Sequence, residues 1–142
     1  MLAVQVSREL RINLDVPGLA TAQACYCAAF GRRPRRRIGD AGVELLGAAA
    51  PLWLLALPAG GDAAARQSRH CGCHWTPLHL DVVVPLMEPA LARAEAAGMR
   101  SETGIHETAW GRLVTTADPS DHRRCPLPFT GDGHDGIARA PA

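Results

Sequence analysis

Four metal-compatible donors stand within five residues at His70-Cys71-Gly72-Cys73-His74. Thiolate and imidazole bind zinc and copper(I), so a Cys-x-Cys pair flanked by imidazoles is a candidate grip for either ion. Its spacing is tighter than the Cys-x2-Cys of structural zinc sites. No second pair follows it in sequence, although Cys25 and Cys27 could meet it in space; a reduced loop is the competing reading. His79 lies in an alternating stretch, Leu78-His79-Leu80-Asp81-Val82, where an imidazole on one face of a strand can bind a metal, move a proton or simply hydrogen-bond. Glu44, Glu102 and Glu107 are candidate carboxylates for such chemistry, and Arg112 is a candidate to meet an anionic substrate or to sit at the surface. Trp53 and Trp110 offer either ligand-contacting walls or core packing. Arg32 to Arg37 holds five arginines around Pro34 and reads as a solvated loop in preference to an anion site.

Composition narrows these options. The chain has 142 residues, 47% hydrophobic and 20% charged, which suits one globular domain. Aromatics are only 4%, so Ala, Leu and Val must fill the core. All 15 basic residues are arginine, which excludes a lysine Schiff base or a Walker-type lysine on this chain. A net charge of +1 argues against a nucleic-acid partner. The five cysteines are odd in number and in two Cys-x-Cys pairs, a poor disulfide framework, so reduced thiols and a cytoplasmic location are expected. The longest apolar stretch, Ala48 to Ala59, is broken by Pro51 and Pro58, and the N-terminus has no basic region before an apolar one; neither a membrane span nor a signal peptide is expected.

The elements that must position these residues follow from periodicity. Leu10 to Val16 alternates as a half-buried strand and stops at Pro17-Gly18. Leu19 to Phe30 has helical spacing and ends at Gly31. Ile38 to Leu57 holds three short apolar segments, read as strands, and Pro58 to Arg69 reads as a linker. Trp75 to Val84 is a second strand and Leu86 to Ala97 a second helix, with Pro89 in its first turn and Gly98 after it. Short strands are expected over Met99 to Phe129, Trp110 to Ala117 being the clearest. Ile12-Asn13-Leu14-Asp15-Val16 aligns with Leu78-His79-Leu80-Asp81-Val82 at an offset of 66, and the two helices align at 67. The chain is therefore a duplication, each half reading strand, helix, then about three strands. A sheet covered by one helix leaves its other face open, and two such sheets can enclose a cleft.

That order of segments resembles the vicinal oxygen chelate superfamily of glyoxalases, bleomycin-resistance proteins and extradiol dioxygenases. The resemblance is carried by Arg11 to Leu19, Tyr26-x-x-Ala-Phe-Gly31, His74 to Asp81, Ala90 to Gly98, Trp110-Gly-Arg112 and Asp118-Pro119, and spans about Leu10 to Phe129. It implies an α+β fold of two tandem βαβββ modules forming a curved mixed sheet around a cleft. The modules run over about 8–60 and about 74–130, with a linker at about 61–73 and a tail at 131–142. It also implies a small-molecule ligand, a divalent metal as candidate cofactor, and a homodimer. Carried over residue by residue, the metal positions fall at Asn13, His79, near Ala56, and at Pro128, of which His79 alone is a strong ligand. Asn13, Trp53, Trp110 and Arg112 are then the residues expected to face substrate. The implied function is a glyoxalase-like, divalent-metal-dependent lyase, isomerase or dioxygenase with an incomplete ligand set; the alternative is a non-catalytic protein that sequesters a small molecule.

Overall fold

A computed structural model describes residues 10–63, 67–69, 78–108 and 111–119, and the backbone of 129–130. The His70 to His74 segment, Trp110, Cys125, Pro128 and the tail lie outside the described residues.

The first half runs β1 (Ile12–Val16), α1 (Leu19–Phe30), β2 (Arg33–Ile38), β3 (Gly42–Leu46) and β4 (Leu52–Ala56). The second runs β5 (Val82–Val83), α2 (Met87–Ala96), β6 (Arg100–Ser101), β7 (His106–Thr108), β8 (Gly111–Val114), β9 (Thr116–Ala117) and β10 (Phe129–Thr130). The main sheets have matching orders, β1-β4-β3-β2 and β5-β10-β8-β7; β6 and β9 form a separate two-stranded ladder. In each main sheet the first strand pairs parallel with the last, and the remaining pairs are antiparallel. The duplication expected from the 66-residue offset is thus a duplication of topology.

α1 forms as the spacing predicts. Ala22, Cys25, Tyr26 and Ala29 are buried at i, i+3, i+4 and i+7. Gly31 stops it with φ 63°, a left-handed conformation that glycine adopts without steric cost. α2 buries Met87, Ala90 and Ala94 along one stripe, and Pro89 occupies its first turn, where no intrahelical N–H bond is lost. The two helices pack against each other. Small residues at the contact let them approach, and one continuous core joins Val16, Val43, Leu45 and Leu54 of the first half to Val84, Met87 and Val114 of the second. The Tyr26 hydroxyl donates to Asp118 Oδ2 at 3.2 Å inside that core, tying α1 to the segment after β9. Burial, reinforced by the charge of Asp118, pushes the Cys25 thiol up to about 11, so this cysteine is a core residue and not a nucleophile.

Several expectations are corrected. Arg33 to Ile38 is a strand and not a loop. As an exposed edge strand with an irregularity between Pro34 and Arg37, it can hold a proline that lacks an N–H. The apolar stretch after it gives two strands, since Ile38 ends β2. Within the expected linker, Asp62 bridges Ser68, Arg69 N–H donates to Gly61 O, and Arg69 Nε donates to Asp15 Oδ2 at 2.7 Å, so this turn is anchored to β1. Of the expected strand Trp75 to Val84, Trp75 to Pro77 lie outside the described residues, and Val82 and Val83 form β5, paired parallel with Phe129 and Thr130. Trp110 to Ala117 divides, within the described residues, into β8 and β9. No helix among the described residues is long and apolar enough to cross a membrane.

Tyr26→Phe removes a buried donor from a carboxylate. It should lower the unfolding free energy by roughly 1.5–3 kcal/mol in chemical denaturation, with little change in the denaturant slope.

Candidate functional site

Strand alternation gives the first sheet two chemically different faces. Val16, Leu54, Val43 and Leu45 point to the helix. Asn13 and Asp15 point the other way, and the register extends their face across the sheet: Asn13 stands beside Trp53, and Trp53 beside Glu44. The row ends on Arg36, which β2 carries within the irregular stretch of its pairing. Arg36 Nε and Nη2 donate to Glu44 Oε2 and Oε1, each at 2.7 Å, a bidentate fork. Arg35 Nη1 lies 3.9 Å from the same carboxylate. The Arg36 guanidinium carbon also stands 5.6 Å from the centroid of the Trp53 ring, within cation–π range.

This arrangement is built by necessity from the sequence of β3. Glu44 sits in an apolar strand and is only 1% exposed, so its charge must be matched by cations within reach. The Arg36 hydrogen bonds hold its carboxyl below the ordinary value; burial opposes them, and the charges of Arg36, Arg35 and Arg11 add to the lowering. Trp53 is 8% exposed and its Nε1–H has no acceptor among the described residues. Arg11, Asn13, Arg36, Ile38, Trp53 and Leu55 line a cavity of about 350 Å³ on this face. Sequence reasoning missed the Arg36–Glu44 pair. Its signal was a lone carboxylate inside Val-Glu-Leu-Leu, one hairpin away from five arginines.

His79 is the repeat counterpart of Asn13. Its Nδ1 lies 2.9 Å from Asp81 Oδ1, and Asp81 is the counterpart of Asp15. Both aspartates are thus engaged, Asp15 by Arg69 from the turn after β4 and Asp81 by His79 two residues before it.

The ladders also fix the two last-strand positions. Val16 pairs with Ala56, and its counterpart Val82 pairs with Phe129. Phe129 therefore corresponds to Ala56, and Pro128, one residue earlier, to Leu55. Leu55, paired with Asp15, shares the face of Asn13, whereas Ala56, paired with buried Val16, lies on the helix side. An amide, an aliphatic chain and one imidazole do not make a conventional divalent-metal set. Among the described residues no three His, Cys, Asp or Glu side chains converge on a common point.

Arg112 is directed elsewhere than expected. It is two residues from buried Val114 on β8 and shares its face, the one toward α2. Its Nη2 lies 2.6 Å from Glu88 of α2, and its Nε makes an ion pair with Glu107 at 3.1 Å without hydrogen-bond geometry. The Glu88 hydrogen bond leads in raising the pKa of Arg112. Arg112 and Glu107 are thus committed to one another, and Glu44 to Arg36. Trp110 lies outside the described residues.

Comparison with known proteins agrees with this geometry. The family model of the glyoxalase-like domain matches residues 11–127. The chain belongs to the vicinal oxygen chelate superfamily. Solved structures with this fold include the fosfomycin resistance protein FosX of Listeria monocytogenes, in a mutant form complexed with Mn(II) and a dihydroxypropylphosphonic acid. It is 15% identical, covers 93% of this chain and 97% of its own, and has a TM-score of 0.69. A glyoxalase-related enzyme from Fulvimarina pelagi is 16% identical with a TM-score of 0.62, covering 87% and 86%. A glyoxalase/bleomycin resistance protein from Catenulispora acidiphila is 18% identical with a TM-score of 0.58, covering 88% and 98%. No curated protein sequence gives a significant match. In this glyoxalase-like domain, then, the fold is shared with its structural relatives, and the open face of its first sheet carries Asn13, Trp53 and Leu55.

The Arg36–Glu44 pair makes a pH prediction. Glu44 titrates near 4.5 in the unfolded chain and lower when folded. Its stabilising contribution is complete above that unfolded value and is lost as pH falls through the folded one. Urea unfolding of wild type and Glu44→Gln from about pH 7 to about pH 3 should show the largest gap at neutral pH, narrowing on the acid side.

Proposed function

We propose that this glyoxalase-like domain binds and sequesters a small organic molecule in its cleft without metal-assisted chemistry. The reading rests on the donor set. The open face carries an amide, Asn13, and an aliphatic chain, Leu55, and its buried carboxylate, Glu44, is bound at both oxygens by Arg36. A carboxylate so held is a poor metal ligand and a poor base. The same face suits binding: the Trp53 ring supplies apolar surface, Asn13 a donor and an acceptor, and Arg36 a guanidinium fixed by Glu44 behind it. Trp110, which lies outside the described residues, is proposed as a further ligand contact on the strength of the family resemblance alone, and a cytoplasmic homodimer is the expected setting.

A second reading keeps divalent-metal chemistry, and one observation favours it. A ligating histidine commonly has its other ring nitrogen held by a carboxylate, as Asp81 holds His79 Nδ1. Among the structural relatives, FosX was crystallised with Mn(II).

Elemental analysis of the purified protein separates the two. Sequestration predicts no stoichiometric divalent metal, and the same metal content in wild type and His79→Ala. One equivalent of manganese, iron or zinc that disappears in His79→Ala would establish the metal reading instead. Metal lost only on replacing Cys71 and Cys73 would assign it to the His70 to His74 segment.

A further inference from the structure

A different cavity lies on the helix side of the first sheet, at the seam between the halves. Its apolar part, about 190 Å³, is walled by Ile12, Tyr26, Phe30 and Leu52 from the first half and by Leu80 and Val82 from the second. A wider recess of about 420 Å³ shares Phe30, Arg32, Ala48, Asp81 and Val82 with it, so the two adjoin. Ile12 and Leu52 belong to the face opposite Asn13 and Trp53, which separates this cavity from the cleft.

Arg32 is the one guanidinium common to both parts. It is half-buried, and burial pulls its pKa down, with the Tyr26 hydroxyl group opposing the shift. Its hydrogen bond is a long one, Nη1 to the Ala50 carbonyl at 3.4 Å. No carboxylate of the described residues lies within ion-pair distance of it. Arg36, Arg69 and Arg112 each have such a partner, in Glu44, Asp15 and Glu88. A cation partly withdrawn from water and lacking a counter-ion is a standing cost, and a bound carboxylate removes it through two parallel N–H···O bonds.

We infer that the seam cavity binds a small monocarboxylic acid with a single-ring or short alkyl body, its carboxylate on Arg32 and its body among Phe30, Leu52 and Val82. Size supports this, since an apolar cavity of about 150 Å³ accommodates benzene. Asp81 also lines both parts, its carboxyl engaged by His79 Nδ1 at 2.9 Å, and Arg32 is the one guanidinium the two parts share, so the cavity suits an acid with a single carboxylate. The inference is independent of what the cleft binds.

Benzoate is a suitable probe and benzamide its neutral counterpart, followed by calorimetry or by amide shifts in NMR at millimolar concentration. Benzoate should bind the wild type at least about tenfold more tightly than benzamide, and Arg32→Gln should weaken it by a similar factor. Ala49→Phe, on the exposed loop that borders the cavity, should block it without touching the core, and it keeps the test decisive if Arg32→Gln folds poorly. Asn13→Ala should leave binding unchanged. Absence of benzoate binding to the wild type would overturn the inference. So would binding indifferent to both Arg32→Gln and Ala49→Phe, or binding abolished by Asn13→Ala.

Discussion

A four-stranded sheet covered by a single helix can bury only one of its faces, and a half-chain of this size holds too little apolar surface to stand alone. The fold answers this by duplicating the unit and merging the helix faces. α1 and α2 meet, the apolar faces of both sheets join one core, and the Tyr26–Asp118 hydrogen bond crosses between the halves. Alanine and other small residues fill this core, which explains how a chain with six aromatic residues builds it: close helix contact substitutes for large side chains. Everything placed on the opposite faces is freed from the packing problem and can be polar.

The first half uses that freedom in an unexpected way. A row that could carry ligands for a metal instead reads Asn13, Trp53, Glu44, Arg36. Its strongest electrostatic interaction is internal, an arginine fork on a buried carboxylate, with the guanidinium also over the indole ring. Such a row is preorganised, because each group fixes the next, and the chemistry left for a ligand is an amide, an aromatic surface and the edge of a cation. The second half departs differently. In its first strand the histidine and aspartate meet each other, His79 being held by Asp81 two residues on. The two halves share topology but differ in the polar groups their first strands carry.

Much of the frame was legible in the sequence because it depends on local patterns. α1 followed from apolar spacing bounded by Pro17-Gly18 and Gly31, and the duplication from the repeated five-residue strand motif. What was not legible depends on pairing between strands. The arginine run resembled a loop because Pro34 and five charges hide a strand that lies at a sheet edge, where neither is penalised. Which of Leu55 and Ala56 shares the face of Asn13 is set by register, and a register cannot be read from either strand alone. Arg112 looked available because its partners, Glu88 and Glu107, come from a helix and a neighbouring strand. Glu44 and Glu107 counted as possible catalytic carboxylates until the arginines beside them were placed.

The central claim is that the Asn13–Trp53 face receives an organic ligand and no divalent metal. With 5-fluorotryptophan in place of the three tryptophans, and the Trp53 signal assigned through Trp53→Phe, fluorine NMR reads that face directly. The account predicts that the Trp53 resonance shifts with small organic ligands in the presence of a metal chelator, and that Mn(II) leaves it sharp. Stoichiometric broadening of the Trp53 resonance by Mn(II), with organic ligands shifting it only after the metal is added, would contradict the account.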